Sequence, residues 1–106
     1  MRELSGETRR LIERMFPGEA ANVAEALERE CNDDLPLVGA ATPENTNVER
    51  IRYAVLKLSG GTMEGFAKSM ELARRDWRDV LVFAGFGNSL TEHRRWAVEI
   101  LSQPKR

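Results

Sequence analysis

The stretch Val48–Gly87, VERIRYAVLKLSGGTMEGFAKSMELARRDWRDVLVFAGFG, decides the fold of this chain. Its apolar residues recur at spacings of three and four, which indicates helices. A Gly60-Gly61 pair interrupts the pattern, and the motif Asp76-Trp77-Arg78-Asp79 restarts it. Because glycine supplies the left-handed residue that ends a helix and aspartate caps a helix start, the stretch predicts three successive helices.

The first of these helices begins at a predicted capping box, Thr46-x-x-Glu49, and ends at Gly60-Gly61. Its main apolar positions follow the helical period, and Tyr53 and Leu56 widen the apolar arc. We therefore expect this helix to be buried over more than half of its circumference. The main stripe consists of Val48, Ile51, Ala54, Val55 and Leu58.

The next two helices are joined closely. Thr62 is the predicted cap of the fourth helix, and Gly65 in its first turn allows a close crossing with a neighbour. The segment Val80–Phe86 is rich in strand formers, so a β-strand is the rival interpretation. We favour a helix that starts at Asp76, because an isolated strand would have no pairing partner.

The rest of the chain is also helical by pattern. We expect a helix over 5–16 with Ser5 or Gly6 as its cap, a second over 19–31, and a last one after a capping box at Ser89-x-x-Glu92. Residues 32–45 form the longest irregular segment, and the tail 104–106 is expected to fray. The predicted fold class is all-α: a single domain over 1–106, built as a compact bundle of five to six short helices around one layer-packed core.

The charge balance disfavours a nucleic-acid binder. The formal net charge is −1, whereas nucleic-acid affinity depends on neutralising phosphates with an excess of cations. Residues 1–53 carry 7 basic and 11 acidic residues, a balance of −4, and residues 54–106 carry 9 and 6, a balance of +3. We interpret this asymmetry as internal complementarity between the two halves, with a partner-binding polarity as the alternative.

The compartment follows from what the sequence lacks. Cys31 is the only cysteine, which excludes an intramolecular disulfide and a cysteine-based zinc site. No apolar leader follows Met1, and no apolar run approaches the roughly 18 residues of a membrane span. We expect a soluble cytoplasmic protein with no membrane partner.

Candidates for catalysis are few. His93 is the only histidine, and its place on an apolar helix face favours a structural role. Cys31 could pair with it as a nucleophile, but a helix C-terminus disfavours a thiolate, so we interpret Cys31 as buried filler. Asn32-Asp33-Asp34 is better explained as a turn than as a metal site, and Gly85–Ser89 as a helix stop and restart than as an anion nest. We predict no enzyme activity, catalytic residue, metal or cofactor.

Two clusters combine arginine with tryptophan, residue types that dominate binding hot spots. The first is Arg74-Arg75-Asp76-Trp77-Arg78-Asp79, for which we favour a structural interpretation: Trp77 enters the core, while Arg78 and the aspartates make caps and ion pairs. The second is Arg94-Arg95-Trp96. Together they could form an RNA surface, but the net charge and the expected burial of both tryptophans disfavour it.

One pattern covers nearly the whole chain: Phe16-Pro17, Glu30-Cys31 and Leu35-Pro36, then ERIRYAVLKLS over 49–59, and DWRDVL over 76–81. With His93 and Trp96 at its end, it resembles a family of small uncharacterised bacterial proteins, and AVLKLS…DWRD is its most specific part. The resemblance implies a complete bacterial protein. It implies no activity, cofactor, partner or site residue.

The functional hypothesis is a non-enzymatic helical module that binds another protein or itself, for example as a homodimer. It depends on apolar residues that lie off the main helical stripes and need a second surface to cover them: Tyr53, Leu56, Leu72, Val82, Phe83 and Phe86. The predicted interaction surface consists of Arg74, Arg75, Arg78, Tyr53, Phe83 and Phe86. The alternative is an accessory domain for a small anionic ligand, with the Arg74/Arg75/Arg78 and Arg94/Arg95 clusters converging on a pocket.

Overall fold

The computed structural model describes residues 4–31, 46–87 and 91–103, and within these ranges it contains helices and no strand. The all-α prediction is therefore confirmed, and Val80–Phe86 is not a strand. The Cα radius of gyration of 12.6 Å is that of a compact domain of about 100 residues. The helices are α1 (Gly6–Met15), α2 (Ala20–Glu30), α3 (Thr46–Ser59), α4 (Met63–Arg75), α5 (Trp77–Ala84) and α6 (Glu92–Ser102).

Helix α3 is the centre of the bundle. Helices α4, α5 and α6 pack against it, while α1 packs against α2 and α6. Every side chain from Arg50 to Leu56 is buried, so the prediction of burial over more than half of the circumference is confirmed. The buried apolar residues of all six helices form one core.

Side-chain caps mark the starts of three helices, α1, α4 and α5. The Ser5 hydroxyl accepts a hydrogen bond from the Thr8 amide, and the Thr62 hydroxyl accepts one from the Gly65 amide. The Asp76 carboxylate accepts one from the Arg78 amide at the start of α5. These three predicted caps are confirmed, because in each case a side-chain oxygen satisfies an amide that has no partner within the helix.

The predicted start of α6 is wrong. The helix begins at Glu92, with Thr91 at the cap position and no side-chain cap, and not directly after Ser89. The physical reason is that the first turn closes on the Thr91 carbonyl, which accepts from the Arg94 and Arg95 amides. Ser89 lies outside the described residues. So do segment 32–45, the side chain of Thr46 and the tail 104–106.

Glycines make the corner between α3 and α4. Gly60 and Gly61 have φ angles of 63° and 82°, as predicted for the end of α3. The predicted close crossing at Gly65 is also present, since a Cβ atom there would lie 2.2 Å from the Ser59 carbonyl oxygen. The first turn of α4 can pack against the end of α3 only because residue 65 has no side chain.

Cationic side chains donate hydrogen bonds to carbonyl groups at the C-terminal ends of three helices. From α3, Lys57 Nζ donates to the Ala84 carbonyl over 2.8 Å, and Arg50 donates to the Phe86 carbonyl over 2.6 Å. Arg52 Nε donates to the Cys31 carbonyl over 2.8 Å at the end of α2. Arg14 of α1 donates to the Leu101 and Gln103 carbonyls at the end of α6. These carbonyls lack partners within their own helices and carry the negative end of the helix dipole.

Three of the six apolar residues expected to need a second surface are buried inside the bundle. Tyr53 and Leu56 are 0% exposed and Phe86 is 1% exposed. The expectation was wrong for Tyr53 and Leu56 because α3 is enclosed by several neighbours. It was wrong for Phe86 because the ring packs against His93 and Trp96 of α6. Leu72 is partly buried against the core. Only Val82 and Phe83 of the six are largely exposed.

We expect Gly65→Ala to lower the free energy of unfolding by about 1–3 kcal/mol, the cost typical of overpacking, because the new methyl group would meet backbone atoms of Ser59. Urea denaturation followed by circular dichroism measures the effect. Gly18→Ala is the matched control, since a Cβ atom at Gly18 would meet nothing within 4 Å. Equal midpoints for the two variants would contradict the close crossing.

We expect Lys57→Met to cost about 1–3 kcal/mol of unfolding free energy, because it removes a charge-assisted hydrogen bond to the Ala84 carbonyl and the cation 5.0 Å from the Phe86 ring centroid. Lys68→Met is the control. Lys68 makes only an exposed ion pair with Glu64, so its loss should change stability by less than about 0.5 kcal/mol. Thermal and urea melts of both variants give the comparison.

Candidate functional site

The outer face of α5 is the clearest candidate for an interaction surface. The inner side of this eight-residue helix carries Val80, Leu81 and Ala84, which are buried in the core. The opposite side carries residues at helical spacings i, i+1, i+4 and i+5, all of which are exposed. These four residues, Arg78, Asp79, Val82 and Phe83, are called the α5 outer face below.

The centre of this face is apolar. Val82 is 62% exposed and Phe83 is 65% exposed. Among the described residues the only other large apolar side chain with such exposure is Val98 of α6, at 57%. Single exposed apolar residues are ordinary on protein surfaces, but two adjacent ones on one helix face form a continuous patch.

Arg78 lies beside this patch and is held by its neighbour. Its Nε atom lies 3.3 Å from the Asp76 carboxylate, and its backbone amide donates to the same oxygen over 3.0 Å. The side-chain hydrogen bond from Arg78 lowers the pKa of Asp76 below its usual value, and the backbone hydrogen bond adds to this. Together with Trp77, which packs against the core, this geometry matches the structural interpretation of Asp76-Trp77-Arg78-Asp79.

Arg74 and Arg75 lie on α4, and each has a carboxylate partner. Arg74 forms an ion pair with Glu30 at the end of α2, and Arg75 lies 3.4 Å from Glu71 on its own helix. Arg94 of α6 lies 3.8 Å from Glu49 of α3. The Arg74 and Arg94 pairs each join the basic half of the chain to the acidic half, which is the internal complementarity that the charge pattern predicts.

Tyr53 and Phe86 do not belong to any interaction surface, contrary to the prediction. The Tyr53 hydroxyl donates to Glu7 over 2.5 Å and so links α3 to α1. Burial raises the pKa of Tyr53, and the hydrogen bond to Glu7 adds to this shift. Phe86 packs against the rings of His93 and Trp96. Both residues are therefore core residues that join helices.

His93 lies inside this aromatic cluster. Its ring makes edge contacts with Tyr53 and Phe86, with centroid distances of 5.4 and 6.3 Å. Nε2 lies 3.9 Å from Glu49, and Nδ1 is buried without a hydrogen-bond partner. Burial lowers the pKa of His93 to about 4, and the nearby charges of Arg50 and Arg94 contribute. The structural role is as predicted, although one ring nitrogen is left unsatisfied.

Cys31 is the buried filler that the sequence predicts. It is fully buried at the end of α2, and this burial raises the pKa of its thiol to about 12. Arg52 is the polar side chain that contacts it, whereas His93 contacts aromatic rings and Glu49. A protonated, buried thiol without a base beside it is a poor nucleophile.

The two arginine clusters form ion pairs with different carboxylates. Arg94 and Arg95 contribute to a shallow groove of about 430 Å³ on α6, together with Thr91, Val98 and Glu99. Arg95 is paired with Glu92 over 2.9 Å, while the first cluster is paired with other carboxylates on α2, α4 and the α5 cap. These contacts do not bring the guanidinium groups of the two clusters together in one pocket.

Within the described residues, no group of three or more histidine, cysteine, aspartate or glutamate side chains is arranged to bind a metal ion. None of the helices in this part of the chain has both the length and the apolar character required to cross a bilayer. These findings add no residue to the candidate site.

Two exposed apolar residues, Val82 and Val98, were not part of the predicted interaction surface. Val82 lies off the stripe of α5 and was recognised only as surplus apolar surface. Val98 lies off the α6 stripe formed by His93, Trp96, Ala97 and Ile100. Their positions relative to these stripes are the signal that identifies both as exposed.

Comparison of the chain with protein-family models, with curated proteins and with solved structures found no match. The resemblance to a family of small bacterial proteins therefore stays a prediction. No activity, ligand or partner can be transferred from a relative, and functional inference depends on the geometry of the described residues.

We expect stability to depend on pH through His93. Because the folded-state pKa of about 4 lies below the ordinary value of 6.5, the unfolded chain binds the proton more tightly, and stability falls as pH decreases from 6.5 to 4. Over this pH range the free energy of unfolding falls by about 3 kcal/mol, at about 1.4 kcal/mol per pH unit. Urea denaturation at several pH values should show a smaller loss for His93→Gln than for the wild type.

Two carboxylates, Glu7 and Glu49, act on the His93 ring through their charges. They remain in both proteins, so the difference between the two pH profiles isolates His93. Parallel profiles would show that His93 has the same pKa in the folded and unfolded chains.

Proposed function

We propose that this protein is a non-enzymatic interaction module that binds another protein through the α5 outer face. The observation that carries the proposal is the adjacent exposure of Val82 and Phe83, at 62% and 65%, on a helix whose other side is fixed in the core. Burial of such apolar side chains is the main source of binding energy in protein interfaces.

The attachment of α5 supports this role. The helix is held at its start by Asp76 and at its end by the hydrogen bonds from Lys57 and Arg50 to the Ala84 and Phe86 carbonyls. A partner would therefore meet a rigid surface, and little conformational entropy would be lost on binding. Arg78 provides a polar edge beside the apolar centre, the usual composition of an interface.

Binding of a small anion through the arginines has less support. Arg74, Arg75 and Arg78 each have a carboxylate within 3.4 Å, so an anion would compete with an existing intramolecular partner at each site. In the α6 groove, Arg95 is similarly paired with Glu92. These pairs reduce the positive potential that would attract an anion.

The proposed setting is the cytoplasm of a bacterium. The buried, reduced Cys31 is compatible with that compartment, because cytosolic proteins keep their thiols reduced. The proposed mode of action requires no bound cofactor.

A photo-crosslinking experiment tests the proposal. Phe83 is replaced by a benzoyl-phenylalanine in the full chain, and the producing cells are irradiated. We expect a discrete protein adduct, identified by mass spectrometry, because a bound partner would cover this position. In a parallel experiment the cells are lysed first and the extract is irradiated. There, an excess of purified wild-type chain added before irradiation should suppress the adduct, whereas an excess of Phe83→Ser chain should not.

The matched control carries the same photoreactive residue at Val98. That side chain is exposed to a similar degree, at 57%, but it lies on α6 and outside the α5 outer face. The same adducts in the same yield from both positions, or no adduct from Phe83, would contradict the proposed function.

A further inference from the structure

We propose that His93 is a pH-sensitive anchor of α6: protonation of its ring releases this helix from the bundle while α1 to α5 stay folded. Release uncovers the rings of Tyr53 and Phe86, which are buried in the complete bundle. This inference concerns a different part of the molecule from the α5 outer face and does not depend on the proposed function. Three observations lead to it: the small buried part of α6, the surroundings of the His93 ring and the contacts that hold the other helices.

Helix α6 is attached through few buried side chains. Within this helix only His93 and Ala97 are buried, and three further apolar residues are partly buried. Thr91 at its start provides no side-chain cap. A helix that buries so little surface can open locally without unfolding of the whole protein. An ionisable side chain therefore supplies one of the two buried anchors of α6.

The surroundings of the His93 ring suit a neutral imidazole. The ring is 3% exposed and makes edge contacts with Tyr53 and Phe86, and its Nδ1 atom is buried without a hydrogen-bond partner. A protonated imidazole carries an N–H donor on both nitrogens. Protonation would therefore place a charged donor without an acceptor among aromatic rings, which is unfavourable.

The charged groups around the ring do not compensate for an added proton. Among the described residues, titratable or charged groups face His93 or its ring contacts as follows: Glu7 of α1, Glu49, Arg50, Tyr53 and Lys57 of α3, and Arg94 of α6. Arg50 and Arg94 oppose protonation, and Glu7 favours it. Glu49 lies 3.9 Å from Nε2, but the same carboxylate oxygen lies 3.8 Å from Arg94, which partly neutralises it.

The direction of the pH effect follows from linkage. The pKa of His93 in the bundle is about 4, whereas a solvated imidazole has a pKa near 6.5, so the released helix binds the proton more tightly. The ratio of released to attached α6 therefore rises as the pH falls below 6.5. Between pH 7 and pH 5 the expected increase is about twentyfold.

The other helices are held by contacts that α6 does not supply. Hydrogen bonds from Arg52, Lys57 and Arg50 of α3 hold the ends of α2 and α5. The Tyr53 hydroxyl holds α1 through Glu7. Because none of these four bonds involves a residue of α6, they persist when α6 leaves.

Native-state hydrogen exchange of the full chain, measured by NMR at pH 7 and pH 5 in low concentrations of urea, tests this inference. Protection factors are compared, so that the pH dependence of the intrinsic exchange rate cancels. We expect the α6 amides to be less protected than the α3 amides and to lose about twentyfold in protection from pH 7 to pH 5. Their protection should depend weakly on urea, because release exposes little surface, whereas that of α3 should depend strongly on urea.

Two substitutions remove the titration. His93→Phe keeps a ring against Tyr53 and Phe86, and His93→Gln keeps a polar side chain. Neither new side chain takes up a proton, so the protection of α6 should be nearly the same at pH 7 and pH 5. Arg14→Met is the matched control, because it removes the hydrogen bonds to the last carbonyls of α6 without changing His93. It should lower the protection of α6 by a similar factor at both pH values and preserve the twentyfold change.

Equal protection and equal urea dependence of α6 and α3 at pH 5 would mean that α6 leaves only when the whole chain unfolds, and this result overturns the inference. The inference also fails if the protection of α6 is unchanged between pH 7 and pH 5 in the wild type, or falls equally in a folded His93 variant. Because His93 is the only histidine, its imidazole signals can be followed in the wild type. Protection of α6 that does not follow this titration overturns the inference without any variant.

Discussion

The fold depends on hydrogen bonds from three cationic side chains of α3 to carbonyl groups of other helices. Arg52 reaches the end of α2, and Lys57 and Arg50 reach the two sides of the turn that ends α5. Burying a cation is unfavourable unless strong acceptors replace its water, and carbonyls at helix C-termini are such acceptors. The bonds from the buried Arg50 and Arg52 therefore satisfy a desolvated cation and an unpaired carbonyl at once, whereas the exposed Lys57 satisfies the carbonyl only. Each bond fixes the position of a neighbouring helix relative to α3.

This arrangement explains how α3 can carry two arginines near its centre and still be buried along most of its length. Burial lowers the pKa of the Arg50 guanidinium, which is nevertheless held by a 2.6 Å bond to Phe86. The same turn brings the Phe86 ring against His93 and beneath the Lys57 ammonium. Helices α3, α5 and α6 therefore meet at one residue, and α5 cannot rotate to bury its outer face without breaking these contacts.

The sequence predicts the helices well because their ends are decided locally. Ser5, Thr62 and Asp76 cap through atoms within three residues, and Gly60 and Gly85 end helices through their own backbone angles. Burial is decided by the tertiary arrangement. A stripe pattern assumes one buried face per helix, so it cannot show that α3 is enclosed by several neighbours, and this is why Tyr53 is wrongly assigned to a surface. Nor can it show that Phe86, beyond the end of α5, packs against His93 and Trp96 of α6. The start of α6 escaped prediction because its cap residue, Thr91, makes no side-chain cap hydrogen bond, so the capping pattern in the sequence does not mark where the helix begins.

The residues of the candidate site differ in how much binding energy they can contribute. The arginines Arg74, Arg75 and Arg78 are conspicuous in the sequence, but exposed ion pairs contribute little to either stability or binding, and a partner would have to displace their carboxylates. Val82 and Phe83 have no such internal competitor: the part of each side chain that faces water gains only by being covered. The energy available for recognition therefore lies in the apolar pair, and Arg78 contributes through its position beside that pair more than through its charge.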